Sequence, residues 1–252
     1  MRPRERQSRI ADLVRSEGRV SVEELARRFG VSAETVRRDL VVLSDDGVVH
    51  KVHGGAVPPR STGEDPFRQR MGHNVPAKRH IAKNARALVR PGDTLFIDTG
   101  TTTLMFAEEL AGIEALTVIT NSVEVASVLS AHEPPAELYL LGGVYNSDNR
   151  QTVGALALAQ VDLFRAARAV LTIGTLDAAA GAMDYNIEEA LVARAMIGRA
   201  QSALLLCDSS KFNRISPFAV APLSAFEALV CESTPEGDLG RALGEAGVQV
   251  VC

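Results

Sequence analysis

The chain has 252 residues, 46% of them apolar, which describes an ordinary soluble protein of one large domain or two of usual size. It contains no apolar run near the roughly 20 residues of a membrane-spanning helix, and no apolar core follows Met1-Arg2-Pro3-Arg4 as it would in a secretory leader, so a cytoplasmic protein is expected. The formal charge of −4 is unevenly spread: residues 1–60 hold 12 Lys+Arg against 9 Asp+Glu and the remainder 15 against 22, as a nucleic-acid-binding head on an acidic body would. The three cysteines, Cys207, Cys231 and Cys252, lie too far apart for a zinc spacing, and the five histidines are scattered, so neither a metal nor a cofactor is expected.

Residues 4–15 read as a first helix with Ile10, Leu13 and Val14 turned inward. Ser21 followed by Glu24 is a capping box, which starts a second helix near Val22. Val22, Leu25, Ala26 and Phe29 give it an apolar face, and Gly30 takes the left-handed turn that ends it. Ser32 caps a third helix, with Val36, Leu40 and Leu43 as its inward stripe. Thr35, Arg37 and Arg38 fall off that stripe and face outward with Ser32 and Ala33, the arrangement of a helix that enters a DNA major groove. The following V-V-H-K-V-H-G-G-A suits two short strands, a wing whose Lys51 and His53 meet the phosphate backbone. Residues 1–57 are thus predicted to form a winged helix-turn-helix domain. The plain alternative is a surface helical hairpin with solvated arginines.

The composition then turns to P-P-R-S-T-G-E-D-P, which continues neither a helix nor a central strand, and residues 58–75, including Phe67 and Arg70, are predicted to be a linker. Pro76 opens a helix carrying Ile81, Ala85, Leu88 and Val89, stopped by Pro91-Gly92. Residues 76–252 alternate short apolar runs, at 95–97, 116–120, 138–141, 169–173, 203–207, 228–230 and 248–251, with helical stretches such as 104–110, 123–129, 156–164 and 187–200. This predicts an α/β domain with a mostly parallel sheet covered on both faces. Ligands in such folds gather outside the carboxyl ends of the strands.

Those strand ends are rich in donors. The first leads into Asp98-Thr99-Gly100-Thr101-Thr102-Thr103 and a helix, the second into Thr120-Asn121-Ser122. The third ends at Gly142-Gly143, with Asn149-Arg150 beyond, and the fourth at Ile173-Gly174 with Asp177 nearby. The fifth ends in Asp208-Ser209-Ser210-Lys211. Glycine and small hydroxyl residues at a helix N-terminus offer several donors beside a positive dipole end, and a lysine from another strand end balances the charge of a phosphate. Taken singly, each has a plain reading: threonines cap helices and a lone lysine is solvated.

The segments V-S-A-E-T-V-R-R-D-L and V-H-G-G-A, with Arg6-Gln7 and Ile10, closely resemble the N-terminal domain of the DeoR family of bacterial transcriptional regulators. Residues 98–103, Thr120-Asn121-Ser122, Leu141-Gly142-Gly143, Gly181 with Glu189-Ala190 and Arg194, and Asp208-Ser209-Ser210-Lys211-Phe212 resemble the sensor domain of the same family. The resemblance implies a fold similar to ribose-5-phosphate isomerase and a phosphorylated sugar or polyol as effector. It implies that Gly100, Thr101, Thr102, Thr103 and Lys211 hold the phosphate and that Asp98, Asn121, Asp184 and Glu189 face the polyol, with Gly142, Gly143 and Arg150 at the same site. The segments Met183-Asp184-Tyr185-Asn186 and V-Q-V-V-C are similar to the glycerol-3-phosphate branch of the family, which makes glycerol 3-phosphate a candidate effector. One stretch departs: Leu171-Thr172-Ile173-Gly174-Thr175 stands where the family commonly has Gly-Ala-Ser-Gly, and Thr175 would replace the serine hydroxyl.

By this resemblance the chain is a homo-oligomeric repressor, a dimer or tetramer, that binds double-stranded operator DNA and is released by its effector. The alternative is a sugar-phosphate isomerase or transferase of the same fold, with Asp177, Asp184 or Glu189 as the base. The head discriminates, because Thr35, Arg37, Arg38 and a wing have no use in such an enzyme.

Overall fold

In a computed structural model describing residues 3–45, 48–52, 54–57 and 65–252, the chain divides into two compact units, Met1–Pro66 and Phe67–Cys252. The expectations for His53 and for residues 58–64 of the linker lie outside the described residues.

In the first unit, α1 (Pro3–Glu17), α2 (Val22–Phe29) and α3 (Ala33–Asp45) pack around Ile10, Val14, Leu25, Val36, Leu40 and Leu43, all buried. Ser21 caps α2 by accepting the Glu24 N–H at 3.1 Å, while the Glu24 carboxylate pairs with Arg28 at 2.6 Å. Gly30 ends the helix at φ 62°, its N–H donating to the Ala26 carbonyl. The wing is a hairpin of β2 (His50–Val52) and β3 (Gly55–Val57), with Lys51 opposite Ala56. A strand too short for any periodicity to reveal, β1 (Val20–Ser21), completes a sheet of order β1-β3-β2. The two wing glycines have separate reasons. Gly54 turns at φ 80°, and a Cβ on Gly55 would sit 2.2 Å from the Val20 carbonyl oxygen, so only glycine lets β3 lie against β1.

The second unit starts before the expected end of the linker. A short helix, α4 (Phe67–Arg70), buries Phe67 in the same core as Ile81 and Leu104, so residues 67–75 belong to the packed domain. The chain continues through α5 (Val75–Arg86), β4 (Thr94–Ile97), α6 (Thr101–Glu109), β5 (Thr117–Thr120), α7 (Val123–Ser130), β6 (Glu137–Leu140), the hairpin of β7 (Val144–Asn146) and β8 (Gln151–Val153), and α8 (Ala155–Val161). There follow β9 (Ala166–Leu171), the hairpin of β10 (Thr175–Asp177) and β11 (Gly181–Asp184), α9 (Ile187–Arg199), β12 (Ala200–Leu206), β13 (Phe218–Ala221), β14 (Ala228–Val230), α10 (Gly237–Glu245) and β15 (Gln249–Val251).

Seven strands form the central sheet in the order β15-β14-β12-β9-β4-β5-β6, and every neighbouring pair is parallel. Alternate side chains serve opposite faces. Leu95, Ile97, Val118, Val170 and Leu204 meet Ile81 of α5, Phe106 of α6 and Val125 of α7. Phe96, Ile119, Leu171 and Leu205 meet Val161 of α8, Met196 of α9 and Leu243 of α10. Covering on both faces is why the strands read as unbroken apolar runs. Strand β13 joins β10 and β11 in a small antiparallel sheet of order β10-β11-β13. In the large sheet β5 lies on one side of β4 and β9 on the other. The order therefore reverses at β9–β4, and the crevice outside those carboxyl ends is where such folds receive ligands.

Candidate functional site

On the first unit, the outer face of α3 presents Thr35, Arg37 and Arg38. Ser32 is a cap, accepting the Thr35 N–H at 3.2 Å and lying 2.9 Å from the Thr35 hydroxyl, while Ala33 packs against the core. Arg37 and Arg38 approach Glu34 at 3.7 and 3.4 Å, with 54% and 81% of their side chains exposed. Exposed pairs at such distances hold weakly, so both guanidinium groups are available to a polyanion. Lys51 is exposed on the wing.

The helix is fixed from behind by a group that the sequence reading passed over. Asp39, 4% exposed, accepts from Arg6 Nε at 2.6 Å and Nη2 at 3.3 Å, and from Gln7 Nε2 at 3.0 Å. Hydrogen bonding to Asp39 raises the Arg6 pKa. The signal was present: Asp39 falls three residues after Val36, on the inward face, and a carboxylate there requires a partner.

On the second unit, the residues leaving β4, β5 and β9 build a polar crevice. Asp98 accepts the Thr172 N–H on Oδ2 at 2.9 Å, while its buried Oδ1 has no partner among the described residues. The buried Oγ1 of Thr99 and Oδ1 of Asn121 are in the same condition. Buried polar atoms are normally satisfied, so three such atoms at the ends of neighbouring strands point to hydroxyl or water partners. Burial pushes the Asp98 carboxyl well above the usual range; the hydrogen bond from the Thr172 N–H offsets part of this, and the charges of Asp184 and Glu189 add to it. A Cβ on Gly100 would meet Thr172 Oγ1 at 2.2 Å, so glycine alone lets the β4–α6 loop lie against the end of β9.

Thr103 turns inward, donating to the Asp98 and Gly100 carbonyls at 3.2 and 3.1 Å. Thr101 and Thr102 head α6, where first-turn N–H groups have no intrahelical partner and the dipole favours an anion. Lys211, in the turn Ser209–Lys211 after β12, donates to the Ile173 carbonyl beyond β9. Glu189 on α9 accepts from Asn149 Nδ2 at 2.5 Å and Gln151 Nε2 at 2.8 Å, and Gln151 Oε1 accepts from Asn121 Nδ2 at 3.1 Å. Arg70 extends this relay from α4 by donating to Asn149 Oδ1 at 2.8 Å. Asp184 accepts the Tyr185 N–H at 2.6 Å. Carboxylates and amide oxygens suit the hydroxyl groups of a polyol, and the head of α6 with Lys211 suits an anion. Gln151 and the Thr172 N–H are additions that no local motif announced.

Other expected residues have different engagements. Arg150 pairs with Glu124 of α7 at 2.7 Å. The Gly142 N–H donates to Gln160 at 3.0 Å, and a Cβ on Gly143 would lie 2.5 Å from the Val153 carbonyl oxygen, so both glycines serve the packing of β8 and α8. Asp177 accepts the N–H groups of Ala179 and Ala180, each at 2.9 Å, which lowers its pKa and makes it the cap of the β10–β11 turn. Thr175 shares its hydroxyl with Ser216 at 2.8 Å, both buried. Among the described residues no His, Cys, Asp or Glu group is arranged to hold a metal ion, and no helix is long and apolar enough to cross a membrane.

Residues 6–62 match the family profile of the DeoR-like helix-turn-helix domain, and residues 73–233 that of the DeoR C terminal sensor domain. The glycerol-3-phosphate regulon repressor of Escherichia coli K12 is 30% identical over 99% of this chain and 99% of its own. The transcriptional repressor CsqR of the same organism is 30% identical over 98% of this chain and 94% of its own. The regulator GlpR of Haloferax volcanii is 32% identical over 100% of this chain and 98% of its own. Among solved structures, ribose 5-phosphate isomerase A of Methanocaldococcus jannaschii overlaps 54% of this chain and 53% of its own, at 18% identity and a TM-score of 0.40, a likeness that bears on neither activity nor ligand.

Proposed function

The chain belongs to the DeoR family of DNA-binding transcriptional regulators, and on that premise we propose that it represses an operon for sugar or polyol breakdown and leaves its operator when a phosphorylated effector enters the second unit. Membership sets aside the isomerase alternative. The observation that carries the effector reading is the set of buried atoms without partners, Asp98 Oδ1, Thr99 Oγ1 and Asn121 Oδ1, beside the head of α6. In this reading Gly100, Thr101, Thr102 and Lys211 receive the phosphate, while Asp98, Asn121, Asp184 and Glu189 receive the hydroxyl groups. Glycerol 3-phosphate is the first effector to try, because a relative similar over nearly the whole chain is named for its regulon.

The test has two stages. Thermal shift of the full chain against glycerol 3-phosphate and a panel of phosphorylated sugars identifies the effector, since a ligand bound only by the folded state raises the melting temperature. Titration of the operator complex with that effector then reads release. Wild type is expected to lose affinity by about 5- to 150-fold, and Lys211→Ala to bind DNA normally and resist release. Equal operator affinity with and without saturating effector would refute the reading.

A further inference from the structure

The second unit carries a thiol pair that the regulator reading leaves unused. In the parallel register Leu206 lies opposite Val230, and Val230 opposite Val251. Cys207, Cys231 and Cys252 each follow one of those residues, so all three cysteines of the chain stand in one row across β12, β14 and β15. The ladder runs into the row: the Cys207 N–H donates to the Val230 carbonyl at 3.1 Å and the Cys231 N–H to the Val251 carbonyl at 2.9 Å. Cys231 Sγ lies 3.3 Å from Cys252 Sγ; Cys231 is buried and Cys252 exposed. Neighbouring strands stand about 4.8 Å apart, within the span of about 4.4–6.8 Å between Cα atoms that a disulfide tolerates.

The residue after Cys231 connects this pair to the proposed anion site. Glu232 accepts the Ser209 N–H on both carboxylate oxygens at 3.1 Å, and the Ser209 hydroxyl at 2.5 Å. Ser209 opens the short turn that ends at Lys211. We propose that Cys231 and Cys252 are an oxidisable pair that closes to an intrachain disulfide under a hydroperoxide, and that the closed pair tightens the Ser209–Lys211 turn through Glu232.

The exposed Cys252 reacts first. Its thiolate attacks one peroxide oxygen; the S–O bond forms, the O–O bond breaks, and the departing oxygen leaves as water or alcohol after taking a proton. Cys231 then loses its proton and attacks the Cys252 sulfur; the S–S bond forms, the S–O bond breaks, and water leaves. Two thiols give up two electrons and two protons, and the peroxide is reduced. Burial pushes the Cys231 thiol up, which keeps it from meeting the peroxide first; it reacts only once the oxidised Cys252 sulfur, 3.3 Å away before oxidation, is beside it. Neither step depends on which effector the second unit takes.

The experiment uses the purified full chain and hydrogen peroxide, without effector. Titration of unfolded protein is expected to fall from three thiols to one, with a Cys231–Cys252 cross-linked peptide in the digest and full reversal by dithiothreitol. Cys252→Ser is expected to keep both remaining thiols, and Cys207→Ala to lose two as the wild type does. Amide exchange at Ser209 and Lys211 is expected to slow several-fold in the oxidised wild type and Cys207→Ala, and not in Cys252→Ser. A Cys207–Cys231 link, or Cys252 driven to sulfinic acid while Cys231 still alkylates, would overturn the pair. A Cys231–Cys252 link with unchanged exchange at the turn would overturn the coupling.

Discussion

Asp98 holds one oxygen on a backbone N–H and leaves the other buried and unsatisfied, with two further carboxylates adding repulsion. Burial, with that repulsion, raises its carboxyl in the folded state well above the ordinary aspartate value. Below that value it is neutral folded or unfolded; as pH rises through the window up to the folded value, the unfolded chain releases its proton first and native stability falls. Asp98→Asn removes this titration while keeping the shape. It is expected to melt above the wild type near pH 7, with the gap closing as pH falls toward about 4, and to lose the effector response. Calorimetry across that range checks the sign: an Asn variant less stable at neutral pH would mean that the charge is already compensated. The carboxylate and the Gly100–Thr103 turn were legible because a strand end followed by a helix start is a local pattern. Arg150, Gly142 and Gly143 followed the same rule and went elsewhere. The two glycines succeed β6, which lies at the edge of the sheet, and Arg150 sits in the turn of the short β7–β8 hairpin that carries the chain to α8. No local pattern tells an edge strand from a central one.

Among the elements, α3 joins an exposed reading face to a buried anchor. Arg37→Ala or Arg38→Ala is expected to remove specific operator binding with the second unit still folded; a bidentate base contact accounts for about 1–3 kcal/mol of discrimination. Lys51→Ala is expected instead to weaken binding evenly over sequences and to lower the salt slope by about one unit. Footprints at several salt concentrations separate the two patterns. The anchor makes a different forecast. Asp39→Ala strands the buried Arg6 guanidinium and is expected to destabilise the first unit by about 3 kcal/mol, with operator affinity falling because α3 loses its seat. In a denaturant-melt cycle, Arg6→Met with Asp39→Leu should recover much of that loss. Full additivity of the two changes would show that the pair is not coupled.

For the molecule as a whole, specificity and response both require more than one site to act together. A single head covers little DNA, and half-sites about one helical turn apart are read by paired heads. Sedimentation at micromolar concentration is expected to find a dimer or larger assembly, and a monomer with and without DNA would contradict it. Linkage adds a second expectation. If effector weakens operator binding by some factor, operator DNA must weaken effector binding by the same factor, which calorimetric titration with and without operator measures directly.

The sequence by itself determined the helix-turn-helix, through capping residues and apolar spacing that act within a few residues of one another. It determined the parallel sheet as well, because strands covered on both faces must be apolar throughout. The packed start of the second unit at Phe67 was decided only by the tertiary structure, since burial of one aromatic against α5 and α6 is a long-range fact. The same holds for Arg6 on Asp39, 33 residues apart, for the relay from Arg70 to Asn121, and for the row of cysteines across β12, β14 and β15. Each depends on which strands and helices become neighbours. The free energy of packing the whole domain chooses those neighbours, and no stretch of a dozen residues contains that choice.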